Sequence, residues 1–320
     1  MNLVLIVLGV AALAAGGEAL VRGALAGARR LRVSPLLVGL VVVGFGTSLP
    51  ELVVSVDAAL SARPDIAIGN VIGSNIGNVL LILGVCAVIA PLTVRPLALR
   101  RDALTVVAAS VAFIVLAWGH ALGRGDAAIL FAGLVAYVAW TYATERRARD
   151  DPAATLRRAE ADEVVAVPTS LGWTAALLVG GLTALIGGSR VLLSGAVGLA
   201  ADLGVPEAAI GLTLVAVGTS LPELSVSVIA ALRRHADVAV GNVLGSNVFN
   251  LLGILGVSAL LQPLPIAARV VQFDQWVMLG AAVLLTLFLL TGRRLSRWEG
   301  GVLLVAYVGY VVFGFTSFAT

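Results

Sequence analysis

The sequence contains no lysine, so all 21 of its basic residues are arginine. It has one cysteine, Cys86, set inside an apolar run, which excludes a disulfide framework. Only two histidines are present, His120 and His235, both expected in loops and too isolated for a metal centre or a proton relay. Charge of either sign is scarce. Asp, Glu, Lys and Arg make up 12% of the 320 residues, where a soluble domain carries about 25%. No P-loop or other nucleotide-binding motif occurs, which disfavours an ATP-driven pump and any enzyme built on a nucleotide cofactor. No cofactor is expected. The basic excess does not read as a nucleic-acid surface, because the arginines stand at the ends of apolar segments rather than along one polar face.

What replaces the missing charge is hydrophobic length. Apolar residues form 60% of the chain, with a mean hydropathy of +1.05. Apolar runs of about 18 residues or more recur from end to end, which is the signal of membrane-spanning helices. Ten spans are expected, at roughly 3–25, 34–60, 66–90, 102–119, 126–144, 170–199, 206–232, 238–262, 273–291 and 298–317. The first does not resemble a cleavable signal peptide: it is long, lacks a basic start and carries Glu18 and Arg22 near its end. A mixed-charge stretch at 145–169 separates two halves, 1–144 and 170–320, of five spans each. With both termini outside, 17 arginines fall in inner loops and three (Arg63, Arg124, Arg269) in outer loops. That bias fits the positive-inside rule and a multi-pass protein of the cell (inner) membrane.

The halves repeat one another. Residues 44–57, GFGTSLPELVVSVD, match 216–229, AVGTSLPELSVSVI, and residues 69–84, GNVIGSNIGNVLLILG, match 241–256, GNVLGSNVFNLLGILG. Both blocks keep an offset of 172, which also aligns Gly16 with Gly188 and Gly23 with Gly195. Five spans is an odd number, so the second copy enters the membrane with opposite polarity. The expected fold is therefore an all-α membrane protein of ten transmembrane helices arranged as two inverted five-helix repeats.

Within each GTSLPE block the proline removes an N–H and clashes with the carbonyl four residues back. Pro50 should interrupt bonding near Gly46, and Pro222 near Gly218. Carbonyls around Gly44–Thr47 and Ala216–Thr219 then become available to a cation. Beside each break stands a glutamate, Glu51 or Glu223, and a carboxylate at the bilayer centre costs about 2.5–3.5 kcal/mol on insertion scales. The pair should face each other and be balanced by one divalent or two monovalent cations; protonated glutamates bonded to helix backbone remain the alternative. Ser48, Glu51 and Ser55 share a helix face, as do Ser220, Glu223 and Ser227. Asn70, Ser74 and Asn78 step by four, and so do Asn242, Ser246 and Asn250. Gly69, Gly73, Gly77, Gly241 and Gly245 form small-residue ridges for close packing. Asp65 and Asp237 read as helix caps, Asp57 as an interfacial charge, and the Glu18/Arg190 pair carries no decision. Trp118, Trp173, Trp276 and Trp298 fall near segment ends, as interface anchors do.

GTSLPEL followed by GNVIGSN, present twice, resembles the alpha-repeats of the calcium/cation antiporter superfamily, in its sodium/calcium exchanger branch of prokaryotic type. Proton-coupled members usually carry GNATE-like cores and are less similar. The resemblance implies alternating access with calcium and sodium occupying the site in turn, in a protein that works as a monomer. By resemblance, Glu51 and Glu223 are central ligands, joined by the carbonyls of Thr47 and Thr219. Ser48, Ser220, Ser74, Ser246 and the Ala216 carbonyl would serve flanking sodium sites, and Asn78 and Asn250 the corners. Some relatives, potassium-dependent ones among them, have aspartate where Asn250 stands, so the formal site charge here is −2 and potassium dependence is doubtful. The 145–169 linker lacks the large regulatory insertion of animal exchangers. A calcium/proton exchanger of the same fold is the alternative function, and a passive cation channel a more distant one.

Overall fold

A computed structural model describes residues 1–31, 33–93, 96–147, 170–203, 218–292 and 294–318. The linker beyond residue 147, the first half of the seventh expected span and Ala216 lie outside the described residues. What is described is all-α apart from four two-residue strands. Its helices are α1 (Asn2–Leu31), α2 (Pro35–Thr47), α3 (Leu49–Leu60), α4 (Pro64–Ile89), α5 (Pro96–Leu116), α6 (Arg124–Arg147), α7 (Leu171–Asp202), α8 (Leu221–Leu232), α9 (Ala236–Leu261), α10 (Val270–Leu290) and α11 (Arg297–Phe318). Seven of them are long and apolar enough to cross a membrane, and α2 with α3 makes an eighth, broken span.

The packing is inside-out relative to a soluble protein. Leu3, Val7, Val305 and Val308 are exposed, whereas Glu51, Glu223, Asn242 and Ser246 are buried. Such a surface is compatible with lipid, and the polar interior with ligands held away from it. Burial also sorts the helices. The spanning windows of α9 and α4 are 83% and 67% buried, against 22% for α7 and 28% for α6, so α4 and α9 form the centre. Trp118, Trp173, Trp276 and Trp298 are all exposed.

Local chemistry sets the element boundaries. Ser34 caps α2 by accepting from the Leu37 N–H at 3.2 Å, with Pro35 opening the helix. Pro50 and Pro222 each sit in the first turn of a new helix, α3 and α8, where a missing N–H does no harm. Consequently the chain bends by 43° between α2 and α3, at Ser48. The turns α3–α4 and α8–α9 share one geometry. Ala62 (φ 54°) and Arg234 (φ 60°) take the left-handed conformation, and Arg63 and His235 donate back to Ala58 and Ala230, each at 2.8 Å. These tight reversals lay α4 against α3 and α9 against α8. Arg63 and His235 hold the cap positions, so Asp65 and Asp237 are not caps but first-turn carboxylates. There a negative charge still meets the positive end of the helix dipole.

Helices α1 and α7 pack antiparallel along two glycine rows. A Cβ on Gly16 would stand 2.9 Å from the Gly181 carbonyl oxygen, and one on Gly188 3.1 Å from that of Gly9. Only hydrogen fits there. Similarly, a Cβ on Gly241 would lie 2.8 Å from the Leu36 carbonyl oxygen, and Gly245 meets the Leu40 carbonyl, so α2 and α9 touch backbone to backbone. On α4, by contrast, no described residue comes within 4 Å of a Cβ at Gly69, Gly73 or Gly77. Strand β1 (Leu92–Thr93) pairs antiparallel with β4 (Arg294–Leu295), and β2 (Ala121–Leu122) with β3 (Leu264–Pro265), tying loops of one half to loops of the other.

Adjacent glycines on α7 test this packing. Gly188→Ile should cost on the order of 1–3 kcal/mol through overpacking and lower the melting temperature of the purified protein. Gly187→Ile, on the exposed side with no neighbour within 4 Å among the described residues, should leave it unchanged. Equal effects would contradict the contact.

Candidate ion site

The break at Ser48 and its counterpart at Ser220 bring two fully buried glutamates into one place. Glu51 opens α3 and Glu223 opens α8, each 1% exposed. They are held crosswise. Ser48 donates its hydroxyl to Glu223 Oε1 at 2.9 Å, and Ser220 donates to Glu51 Oε1 at 3.2 Å. Each serine stands three residues before the opposite glutamate's counterpart, so the break that frees one carboxylate supplies the donor for the other. Thr219 also reaches the Glu51 carboxylate, and Thr47 that of Glu223.

The asparagine stripes do two jobs. At one end they brace the broken helices: Asn70 Nδ2 donates to the Glu51 carbonyl (3.1 Å) and Ser55 Oγ (2.9 Å), and Asn242 Nδ2 to the Glu223 carbonyl (3.2 Å) and Ser227 Oγ (2.9 Å). This pattern recurs at the offset of 172. Asn242 further accepts from Thr47 Oγ1 at 3.1 Å. At the other end Asn78 and Asn250, both 1% exposed, sit at the openings of π-helical turns, Asn78–Leu83 and Phe249–Ile254. A π-turn inserts one residue into the helix and re-aims the side chains at its start.

The structure thus brings together Glu51, Glu223, Thr47, Ser48, Thr219, Ser220, Ser74 and Ser246. Ser220 Oγ lies 3.5 Å from Ser74 Oγ, and Ser246 donates to the Gly44 carbonyl at 3.1 Å. That last bond corrects one expectation. The Gly44 carbonyl is not free, for it accepts from the Ser48 N–H, Thr47 Oγ1 and Ser246 Oγ. Its counterpart Ala216 is outside the described residues.

Two participants escaped the sequence reading. Asn75 and Asn247 are buried, Asn78 Nδ2 donates to Asn247 Oδ1 at 3.0 Å, and Asn247 Nδ2 reaches the Asn75 carbonyl at 3.4 Å. Their signal was in plain view, as the repeated Ser-Asn pair at 74–75 and 246–247. Glu51 Oε2, Glu223 Oε2, Asn75 Oδ1, Asn78 Oδ1 and both polar atoms of the Asn250 amide, Oδ1 and Nδ2, are buried with no hydrogen-bond partner among the described residues. Nor does any group of three or more Asp, Glu, His or Cys side chains assemble among those residues, which limits the cluster to two formal negative charges.

Charges outside the cluster have other partners. Glu18 pairs with Arg22 (2.7 Å) and Arg233 (3.0 Å), joining α1 to the end of α8. His235, in the turn that follows, is held below the usual histidine range by burial, while Glu18 acts in the opposite direction. Asp57 is exposed on α3, at an apolar groove of about 420 Å³ lined also by Leu52, Val53 and Val257.

A bundle of apolar helices around a paired-carboxylate, oxygen-only centre describes a membrane protein equipped to hold cations. The chain belongs to the sodium/calcium exchanger protein family, whose model it matches over residues 1–143 and 173–316. It is 38% identical over 320 residues to the putative antiporter CaxA of Alkalimonas amylolytica, and 34% identical over 350 residues to the sodium/calcium exchanger MaX1 of Methanosarcina acetivorans. In both comparisons 98% of each chain is covered. The structure resembles that of the sodium-calcium exchanger NCX_Mj with a TM-score of 0.83 and 31% identity, over 97% of each chain.

Removing the Asn242 amide strands a carbonyl and a hydroxyl in a dry interior, at about 1–3 kcal/mol. Asn242→Ala should therefore lower the melting temperature of the purified protein more than Asn70→Ala, because Asn70 is only partly buried. The reverse order would contradict the bracing role.

Proposed function

We propose that this protein is a secondary antiporter that exchanges calcium for sodium across the membrane by alternating access, with no cofactor. The observation that carries this reading is the pair of unpartnered carboxylate oxygens, Glu51 Oε2 and Glu223 Oε2, where the breaks meet, with the unpartnered amide oxygens of Asn78 and Asn250 on the π-turns that pack against α8 and α3. An acceptor buried without a donor is unfavourable by about 1–3 kcal/mol. A hard cation would relieve it. Calcium takes six to eight oxygen ligands, carboxylate, amide and carbonyl together, and this cluster holds those types together with serine and threonine hydroxyls.

Charge then dictates coupling. Two carboxylates are neutralised by one Ca²⁺ or by two Na⁺, and occupancy by one excludes the other. An empty site leaves two like charges in a low-dielectric interior, an expensive state that discourages crossing without cargo. Glu51 and Glu223 are the central ligands in this reading, with the carbonyls of Thr47 and Thr219. Ser48, Ser220, Ser74 and Ser246, with the Ala216 carbonyl, serve sodium, and Asn78 and Asn250 close the corners. Because residue 250 is an amide, no third carboxylate is present to call for potassium as well.

The architecture that goes with this function is ten spans in two inverted repeats, 1–144 and 170–320, joined by a cytoplasmic linker at 145–169. Both termini lie outside, and the protein acts as a monomer in the cell's inner membrane. Hydrogen bonds that recur at the 172 offset, and strand pairs and serine–glutamate bonds that cross between the halves, support such a two-fold relation.

In proteoliposomes, an outward sodium gradient should drive calcium uptake that a protonophore leaves intact. Collapse with the protonophore would assign proton coupling instead, and uptake without any trans ion a channel. Glu51→Gln and Glu223→Gln should each abolish exchange while the protein still inserts. Calcium at 100 times its Kd should stabilise the wild type by about 2.7 kcal/mol, read as a higher melting temperature, and neither variant should respond. Normal exchange in either variant would overturn the site.

A further inference from the structure

We infer that Asp102 and Asp274 are positioning residues for the ion site, each clamping the pair of outer helices that cradles the π-turn bearing a corner asparagine. The inference rests on the function proposed above. These aspartates are the same place in the two halves, since 274 − 102 equals the offset of 172. Both are buried in apolar helices, at 0% and 7% exposure, and neither belongs to the ion cluster.

Each carboxylate is gripped by one arginine and by the tyrosine hydroxyl of the next helix. On α5, Arg101 forms a fork to Asp102 through Nε (2.7 Å) and Nη2 (3.0 Å), and Tyr137 on α6 donates to Asp102 Oδ1 at 3.1 Å. Arg101 Nη1 also reaches Thr144 Oγ1 on α6 at 2.6 Å. On α10, Arg269 Nε donates to Asp274 Oδ2 at 3.1 Å and Tyr310 on α11 to Asp274 Oδ1 at 3.1 Å. The arginines are not equivalent, lying one and five positions before their aspartate, but the tyrosines are: the last helices of the two halves, opening at Arg124 and Arg297, run 173 apart, as do Tyr137 and Tyr310. The Tyr–Asp bond between neighbouring helices recurs while the source of the arginine does not, which points to the helix-to-helix tie as what matters.

The tie leads to the site. Helices α5 and α6 both contact the Phe249–Ile254 π-turn, where a Cβ on Gly133 would lie 3.7 Å from Leu252 and one on Gly253 3.1 Å from Leu134, a turn before Tyr137. Helices α10 and α11 likewise contact the Asn78–Leu83 π-turn, and Leu304 would stand 2.9 Å from a Cβ on Gly84. Asn250 and Asn78 ride on those turns. Each clamp therefore sets the support behind the other half's corner oxygen. The Asp102 clamp is the stronger, because its arginine is 10% exposed and that of Asp274 is 42% exposed.

The test compares Asp102→Asn, Tyr137→Phe, Asn250→Ala and the double variant Asp102→Asn/Asn250→Ala in proteoliposomes. The readout is the ratio of half-saturating sodium to half-saturating calcium. Asp102→Asn should move this ratio by roughly two- to thirty-fold, Tyr137→Phe in the same direction by less, and Asp274→Asn by less than Asp102→Asn. In the Asn250→Ala background the Asp102→Asn shift should largely vanish, the mark of two residues acting through one another. An unchanged ratio in both single clamp variants, with only protein yield or melting temperature reduced, overturns the inference, as does full additivity in the double variant. Should Asp102→Asn not accumulate, Tyr137→Phe decides alone. Failure of the ion-site reading itself is separately visible, as exchange that survives Glu51→Gln.

Discussion

Two carboxylates share a buried interior with no arginine, lysine or histidine beside them among the described residues, and that unbalanced charge constrains everything around it. Ordinary helices could not tolerate it, because their backbone groups are already bonded to one another and have nothing to offer. Proline at the first turn of α3 and of α8 opens the backbone at that depth, and the glutamate three residues past the serine enters the opening. The serine–glutamate bonds run crosswise, so each half of the molecule solvates the charge of the other. The site consequently exists only when both halves are assembled.

Glycine makes that assembly possible. Backbone contact between α2 and α9 brings the Ser246 hydroxyl onto the Gly44 carbonyl and Thr47 within reach of Asn242. A side chain in either glycine row would push these helices apart by more than a hydrogen bond can span. The second glycine interface, α1 against α7, backs the breaks, for Ser189 on α7 donates to the Gly218 carbonyl at 2.6 Å and a Cβ on Gly46 would lie 3.4 Å from Leu182. Among the described residues α1 and α7 meet by close backbone contact, with the Asn2–Asp202 hydrogen bond at 2.7 Å near the end. Rigid polar bracing thus surrounds the charge, and smooth apolar contact surrounds the bracing. The Arg–Asp–Tyr clamps on α5–α6 and α10–α11 add an outer tier that backs the π-turns.

Much of this was legible in the order of residues, and for identifiable reasons. Spanning segments follow from hydrophobic length, because lipid tolerates nothing else over about 30 Å. The helix break follows from proline chemistry, and the pairing of Glu51 with Glu223 from a repeat whose polar identities cannot arise from composition alone. Other features left no one-dimensional trace. The π-turns at Asn78 and Phe249 carry no distinguishing residue type. Just ahead of those turns Asn247 meets Asn78 and the Asn75 carbonyl across the two halves, which no local pattern announces. Nothing in the order of residues sets Asp102 and Asp274 apart from other charges near segment ends; the tyrosines 35 and 36 residues further on meet them only in the folded molecule.

What the chain settles by itself is therefore local and periodic: where it is apolar enough to leave water, where its helices must break, and that it does both twice at a separation of 172. Only the folded molecule decides which donor meets which carboxylate, that the Gly44 carbonyl is occupied, and which oxygens remain without a partner. The physical reason is range. Hydrophobicity and backbone chemistry act through neighbours along the chain, whereas a hydrogen bond is made or lost over a few tenths of an ångström between residues about 170 positions apart, which only the packing of all the helices together can set.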